Sequence, residues 1–138
     1  MGGVSELLEQ LTTWAADRGD VHAVGLAGSW ARGTATPDSD VDLILVVGNV
    51  REHLHDDGWL ALFGRVVSVS NEDWGLVTAR RVGYEDGPDV EFGLTTTQWA
   101  ALPLDAGTRQ VVADGFEIVH DPDGLLEPCT SAMPESEP

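Results

Sequence analysis

Residues 25–47 of the chain read GLAGSWARGTATPDSDVDLILVV, and this stretch predicts the centre of the fold. The run 21–27, which leads into it, is short and mostly apolar and predicts a strand. A short helix is expected to begin at Trp30, and residues 36–39 are typical of a turn. The run 41–47 is the most apolar of the sequence and predicts a central, buried strand.

The rest of the chain predicts a domain that mixes helices and strands. Residues 4–18 carry apolar side chains at helical spacing. The turn 85–88 lies between two predicted strands and argues for an antiparallel hairpin and against a doubly wound parallel sheet. Further strands are predicted at 65–70, 76–84, 89–95 and 116–120, and helices around 59–63, 97–102 and 106–113. We therefore expect an α+β fold, a small mixed and partly antiparallel β-sheet with helices packed on it.

The chain has 138 residues, the length of one domain, and 42% of them are apolar, which is enough for a core. We expect a domain over residues 1–128 and a polar, Pro-rich, disordered tail over 129–138. The single cysteine, Cys129, excludes an internal disulfide framework. The sequence shows neither a membrane-spanning run nor a secretory signal, so a cytoplasmic protein is expected.

The formal net charge is −17, from 24 acidic and 7 basic residues. Such a charge repels nucleic acids and anionic membranes, so neither is expected as a partner, and a polymerase role is disfavoured. A cationic small molecule or a basic protein is the class of partner that the charge favours. The excess acid would equally serve solubility alone.

Gly28 and Ser29 lie between the first predicted strand and the start of a short helix. Free backbone N–H groups at such a place favour a bound phosphate. Gly28 allows a phosphate to approach the backbone closely, and Ser29 adds a hydroxyl donor. The same pair also fits a simple strand-to-helix turn.

Asp40 and Asp42 open the predicted central strand and point to the same face, because side chains alternate along a strand. Two neighbouring carboxylates repel each other and lose hydration near a core. Mg²⁺ relieves both effects, since it is commonly held by one or two carboxylates together with substrate phosphates. The pair therefore predicts a metal site, and the alternative is a solvated beginning of the strand.

Glu91 is the best candidate for a third acid, because it lies on a later predicted strand between Val90 and Phe92. A third carboxylate would complete a site for two metal ions or accept a proton from the attacking group. The sequence does not separate these two roles. The structural alternative is an ordinary exposed residue of an edge strand.

Segments 25–35 and 39–43 together closely resemble the nucleotidyltransferase superfamily that includes DNA polymerase β. The family pattern is an apolar residue, Gly, Gly or Ser, then a gap, then an acid, an apolar residue and an acid. The resemblance covers residues 25–46 and is greatest to the small bacterial branch, with the minimal nucleotidyltransferases and the aminoglycoside adenylyltransferases. It implies a mixed sheet with helices packed on it.

The resemblance implies an enzyme that transfers a nucleoside monophosphate, AMP from ATP, to a hydroxyl of a small-molecule or protein acceptor with the aid of two Mg²⁺ ions. In the family, the Gly-Ser pair contacts the triphosphate, the paired acids bind metal, and the third acid completes the metal site or serves as base. The matching residues are Gly28, Ser29, Arg32 and Ser39 for the nucleotide, and Asp40, Asp42 and Glu91 for both catalysis and metal binding.

This sequence departs from the antibiotic-modifying members, which carry a large helical domain that binds the acceptor. The resemblance then implies a site that is either half open or completed by a second copy in a homodimer or by another protein in a hetero-complex. Small members often act beside a separate helical protein. The alternative function is therefore an antitoxin-like binding module that neutralises a partner protein, with or without adenylylation activity. The presence of both Asp40 and Asp42 favours an active enzyme.

Two other groups of residues are expected to be structural. His53 and His55 stand in a polar stretch, where a solvated loop is a better interpretation than a metal site. The five Trp are expected to pack in the core or at its edge, with base stacking by Trp30 as the alternative.

Overall fold

The computed structural model describes residues 3–131, and the predicted elements occur within them in the predicted order. Two further helices, Val50–His55 and Glu127–Ser131, were not predicted from the sequence. The strands are β1 (Val21–Ala27), β2 (Val41–Val47), β3 (Val66–Asp73), β4 (Thr78–Tyr84), β5 (Val90–Thr95) and β6 (Phe116–His120). The helices are α1 (Gly3–Asp17), α2 (Ser29–Arg32), α3 (Val50–His55), α4 (Ala106–Asp114) and α5 (Glu127–Ser131), with 3₁₀ segments at Gly58–Phe63 and Thr97–Ala100.

The six strands form one sheet in the order β3-β4-β5-β2-β1-β6. Strands β2 and β5 pair in parallel, and the other neighbours pair antiparallel. The predicted α+β fold with a mixed, partly antiparallel sheet is confirmed. The parallel pair places the beginnings of β2 and β5 side by side, so that Asp42 lies directly opposite Glu91.

Each face of the sheet carries its own core. On one face, alternate residues of β2 and β5 pack against α1 and the first 3₁₀ segment, and Trp14, Trp59 and Phe92 form an aromatic cluster there. On the other face, a smaller core forms around Trp99 and Cys129. The strand β2 contributes to both cores, which explains why its sequence is almost wholly apolar.

Strand β3 continues through residues 71–73, which the sequence predicts as a polar break between two strands. These residues pair with the start of β4, and the turn falls at 74–77 instead. Polar side chains stabilise this arrangement, since Asn71 accepts a hydrogen bond from Arg80 and Asp73 accepts one from the backbone of Gly75. The prediction from polarity alone therefore placed the turn too early in the chain.

The beginning of the predicted tail is helical, because residues 129–131 lie in α5 and Cys129 is fully buried. The carboxylate of Asp121 accepts hydrogen bonds from the backbone N–H groups of Leu125 and Leu126 and turns the chain back onto the sheet. The rest of the predicted tail, 132–138, lies outside the described residues.

His53 is in α3 and 1% exposed, so the prediction of a solvated loop is wrong for this residue. Its ring packs edge-on against Trp14 and Trp59, and its Nδ1 atom is hydrogen-bonded to the carbonyl oxygen of Asn49. In residues 3–131 we find no helix with the length and apolar character needed to cross a membrane.

We predict that Trp59→Ala destabilises the domain by about 3–5 kcal/mol, because Trp59 is 3% exposed and its indole N–H donates to the carbonyl of His53. The matched control is Trp74→Ala at a side chain that is 64% exposed, with an expected change within about 0.5 kcal/mol. Urea unfolding followed by far-ultraviolet circular dichroism gives both values. Equal losses in the two variants would contradict the placement of the core.

Candidate active site

Gly28 ends β1 and brings the backbone against a carboxylate of the neighbouring strand. Its φ of 76° and ψ of −150° belong to a region that is open essentially to glycine alone. A Cβ atom at this position would lie 2.7 Å from Oδ2 of Asp42. The carbonyl oxygen of Gly28 accepts hydrogen bonds from the backbone N–H groups of Ala31 and Arg32 and so caps the start of α2. The sequence therefore needs glycine here both for the turn and for the close approach.

Asp42 and Glu91 are direct neighbours across the parallel pair, and both are half-buried. Burial, followed by the charge of Asp40, raises the pKa of Asp42 above its ordinary value. Burial, followed by the charge of Asp42, raises the pKa of Glu91. Negative charge on these two side chains is thus unfavourable in the protein as it stands.

Asp40 lies just before β2 and is held by Arg81 of β4. Nη2 of Arg81 donates a hydrogen bond to Oδ2 of Asp40 and lies 3.5 Å from Oδ2 of Asp89, and Nη1 lies 3.8 Å from Oε1 of Glu91. The hydrogen bond to Asp40 raises the pKa of the Arg81 guanidinium. Sequence analysis missed Arg81, although its register opposite Glu91 puts it on the same face.

The carboxylates of Asp40, Asp42 and Glu91 are ligands of the type that a divalent cation prefers, although their side chains are not yet arranged around one point. Among residues 3–131 there is no group of three His, Cys, Asp or Glu side chains arranged to hold a metal ion, and Asp40 is hydrogen-bonded to Arg81 instead. Asp42 and Glu91 are hard oxygen donors whose mutual repulsion and desolvation a divalent cation would offset. Asp40 would complete such a ligand set after a side-chain movement.

Trp30 ties together the two halves of the motif. Its indole N–H donates to the carbonyl oxygen of Ser39, and its ring packs partly against the larger core. The hydroxyl of Ser39 accepts a hydrogen bond from the backbone of Thr36 and closes the turn before β2. These contacts support the packing interpretation of Trp30 over base stacking.

Arg32 lies at the end of α2, where Nη1 donates to the carbonyl oxygen of Asp114 at 2.7 Å. Its charge also lowers the pKa of Asp42, although less than burial raises it. Arg32 is therefore within electrostatic reach of the paired acids, while its side chain is exposed enough to move.

One cavity of about 670 Å³ connects these residues, which is a usual size for a small-molecule site. All seven residues predicted from the sequence lie in its wall, and they are Gly28, Ser29, Arg32, Ser39, Asp40, Asp42 and Glu91. Gly93 also lines the cavity, and its neighbours leave little room for a side chain. A Cβ atom there would lie 3.0 Å from the carbonyl oxygen of Leu43 and 3.0 Å from Cγ1 of Val77.

The far wall of the cavity comes from segments that the sequence analysis treated as structural. It includes Trp74 of the β3–β4 turn, Trp99, and Asp105, Gln110 and Asp114 in or beside α4. A Trp beside the polar residues 71–73 is the one signal in the sequence that could have indicated this wall, but Trp74 was expected to pack in the core or at its edge, whereas its side chain is 64% exposed. Asp105 gave no such signal, because its carboxylate also caps α4 by accepting from the backbone of Gly107.

A family model described as streptomycin adenylyltransferase matches residues 1–112, which is more than half of the chain. Seventeen chains of solved structures also match. One of them is an aminoglycoside 6-adenyltransferase from Bacillus subtilis, with a TM-score of 0.55 and 18% identity. That match covers 69% of this chain and 35% of the other, so the chain spans about a third of that protein's length and shares its fold. No curated protein matches. The predicted resemblance to nucleotidyltransferases is confirmed by the family match, and the chain belongs to the streptomycin adenylyltransferase family.

Proposed function

We propose that this protein transfers a nucleoside monophosphate, AMP from ATP, to a hydroxyl group of an acceptor. The observation that carries the proposal is that all seven residues chosen from the sequence line one cavity. Membership in an adenylyltransferase family supports ATP as the donor. The size of the cavity suits a nucleotide or an acceptor that enters beside it.

The carboxylates of Asp40, Asp42 and Glu91 are the groups that would hold two Mg²⁺ ions. Bound there, the ions supply stabilisation of charge on the triphosphate and a lowered pKa for the attacking hydroxyl. Asp42 and Glu91 are already neighbours in the sheet, whereas Asp40 must first leave Arg81. Glu91 would serve either as third ligand or as proton acceptor.

The nucleotide would be bound on the side of the cavity that α2 forms. Gly28 exposes backbone to a phosphate without a Cβ in the way, and Ser29 adds a hydroxyl donor. Arg32 contributes a positive charge within electrostatic reach of Asp42. In this proposal the protein accelerates transfer by position and preorganised charge rather than by a covalent intermediate.

The acceptor would lie against the far wall, where Asp105 and Asp114 contribute carboxylates and Trp74 contributes an exposed ring. With the net charge of −17, these residues favour a cationic acceptor, either a small molecule or a basic protein. An aminoglycoside, the class in the name of the Bacillus subtilis protein, is one small molecule of this kind.

A second candidate function is an antitoxin-like binding module that neutralises a basic partner protein. The strong negative charge favours it. Nucleotide-dependent stabilisation of the isolated chain that requires the paired acids supports the enzyme, whereas co-purification of a stoichiometric basic protein without such stabilisation supports the module.

We expect ATP with Mg²⁺ to raise the free energy of unfolding by about 2.7 kcal/mol at a hundred times its dissociation constant. Asp40→Asn/Asp42→Asn should abolish the metal-dependent part, because the paired acids are the predicted ligands. Thermal unfolding with ATP, GTP, CTP and UTP, each with and without Mg²⁺, measures the effect and its base preference. No shift with any nucleotide, or an equal shift in the double variant, would contradict the proposed site.

We predict that Gly28→Ala removes nucleotide-dependent stabilisation, because the new Cβ would strike the carboxylate of Asp42. Gly33→Ala is the control, since Gly33 has a similar φ of 79° but no atom within 4 Å of an added Cβ. Both variants carry backbone strain of about 1–3 kcal/mol, so only the difference between them reports on the site. Equal nucleotide responses in the two variants would count against a phosphate-binding role for Gly28.

Asp42→Asn should stabilise the metal-free protein at neutral pH by roughly 0.5–2 kcal/mol, although it abolishes metal binding. The reason is that the pKa of Asp42 is raised in the folded state, so its charge destabilises the fold above that pKa. The advantage should shrink as the pH falls through that pKa, because protonation then neutralises the wild-type side chain. Asp38→Asn, at an exposed carboxylate, should change stability by less than about 0.5 kcal/mol. Destabilisation by Asp42→Asn in urea titrations with chelator present would refute the argument.

A further inference from the structure

Four carboxylates gather at the edge of the sheet where β2 and β5 begin, and they belong to Asp40, Asp42, Asp89 and Glu91. The guanidinium of Arg81 stands among them, with oxygen atoms of three of the four within 4 Å. Its charge also acts on the fourth, Asp42. The guanidinium of Arg81 thus faces a cluster that carries up to four negative charges, and Arg32 adds a second positive charge that acts on Asp42.

The register of the sheet fixes Arg81 in this position. Arg81 is opposite Glu91 in the antiparallel pair of β4 and β5, and Glu91 is opposite Asp42 in the parallel pair of β5 and β2. The three side chains therefore form one row across one face of the sheet. From this row the long Arg81 side chain reaches Asp40, which immediately precedes the first residue of β2.

We propose that Arg81 is an internal counter-ion that competes with a divalent metal ion for Asp40. This inference rests on the proposed function, because it concerns the metal site that Asp40, Asp42 and Glu91 would form. Arg81 keeps Asp40 turned away from that site until a metal ion displaces the guanidinium. It is a positioning residue, since it acts through Asp40.

Geometry and charge both indicate that Arg81 and a metal ion compete for the Asp40 carboxylate rather than bind it together. A divalent ion binds carboxylate oxygen at about 2.0–2.1 Å when it is Mg²⁺. A guanidinium bonded to the same carboxylate would then lie within a few ångströms of the ion and be repelled by it. The Arg81 side chain is 44% exposed, so it can turn into solvent with little loss of packing.

Arg81 also differs from the buried Arg80 beside it, which the fold needs. Arg80 is 3% exposed and bonds to the carbonyl oxygen of His53, to Asn71 and to Asp57. The ion pairs of Arg81 go to the carboxylates of the cluster. A variant of Arg81 therefore alters the charge of the cleft while the internal hydrogen bonds of Arg80 stay in place.

The test is the dissociation constant of Mn²⁺, used as the spectroscopic probe, on the full chain by paramagnetic resonance of the free ion. We expect Arg81→Gln to lower that constant at least about threefold, because an exposed ion pair that opposes binding is removed. Arg81→Lys should give an intermediate value, since an ammonium keeps the charge but loses the planar fork. The control is Arg65→Gln, which removes the same charge from a side chain that is 80% exposed and paired with Glu85. It should change the constant less than about twofold.

The Asp40→Asn/Asp42→Asn variant separates the two ways to fail. If it abolishes Mn²⁺ binding while Arg81→Gln binds no tighter than Arg65→Gln, the competition is refuted and the proposed metal site stands. If Mn²⁺ binds equally well to the double variant, or to neither the wild type nor Arg81→Gln, the metal site and the inference fall together. Circular dichroism of each variant shows that the compared proteins are folded.

Discussion

The parallel pairing of β2 with β5 is the constraint on which the rest of the candidate site depends. Antiparallel strands can be joined by a tight turn, but a parallel pair needs a long crossover. Here the crossover contains α3, a 3₁₀ segment and the β3–β4 hairpin, and β4 then joins the free side of β5. One topological requirement therefore sets Asp42 against Glu91, brings Arg81 next to Glu91, and places the turn 74–77 in the wall of the cavity.

The site is held in an electrostatically unfavourable arrangement by the apolar structure beneath it. Asp42 and Glu91 are half-buried next to each other, and each lies on a strand whose alternate residues are fully buried in the larger core. Gly28 brings the backbone against Asp42, and the hydrogen bond from Trp30 to Ser39 closes the loop that leads into the acids. Packing elsewhere offsets the repulsion, as is usual where a protein keeps charges ready for a ligand.

The sequence predicted those parts of the fold that short-range pattern controls. The bounds 21–27 and 41–47 are the bounds of β1 and β2, because each run is apolar, β-branched and closed by turn residues. The resemblance, rather than any geometric argument, assigned Gly28, Asp42 and Glu91 to one site, and the structure places all three in the wall of one cavity. The hairpin turn beside residues 71–73 was misjudged because it depends on a hydrogen bond between the side chains of Arg80 and Asn71 on neighbouring strands. The burial of His53 was misjudged because it depends on packing against Trp14 and Trp59.

The positions of Arg81 and of the far wall of the cavity could not be predicted from the sequence, for a related reason. A strand shows from its sequence which residues share a face, but not which strand lies beside it. The role of Arg81 follows from the neighbour order β4-β5-β2, and that of Asp105 and Asp114 from the packing of α4 above the sheet. Neither arrangement leaves a periodic signal in the chain.

The two walls of the cavity are carried by different parts of the polypeptide. The acids and Gly28 stand on interior strands, where a substitution disturbs the sheet itself, whereas Trp74, Asp105 and Asp114 stand on a turn and a surface helix. Mutations can therefore accumulate on one wall without disturbing the other. Under the proposed function, such a division would let a lineage change its acceptor through the turn and the surface helix while the residues at the strand ends are inherited unchanged.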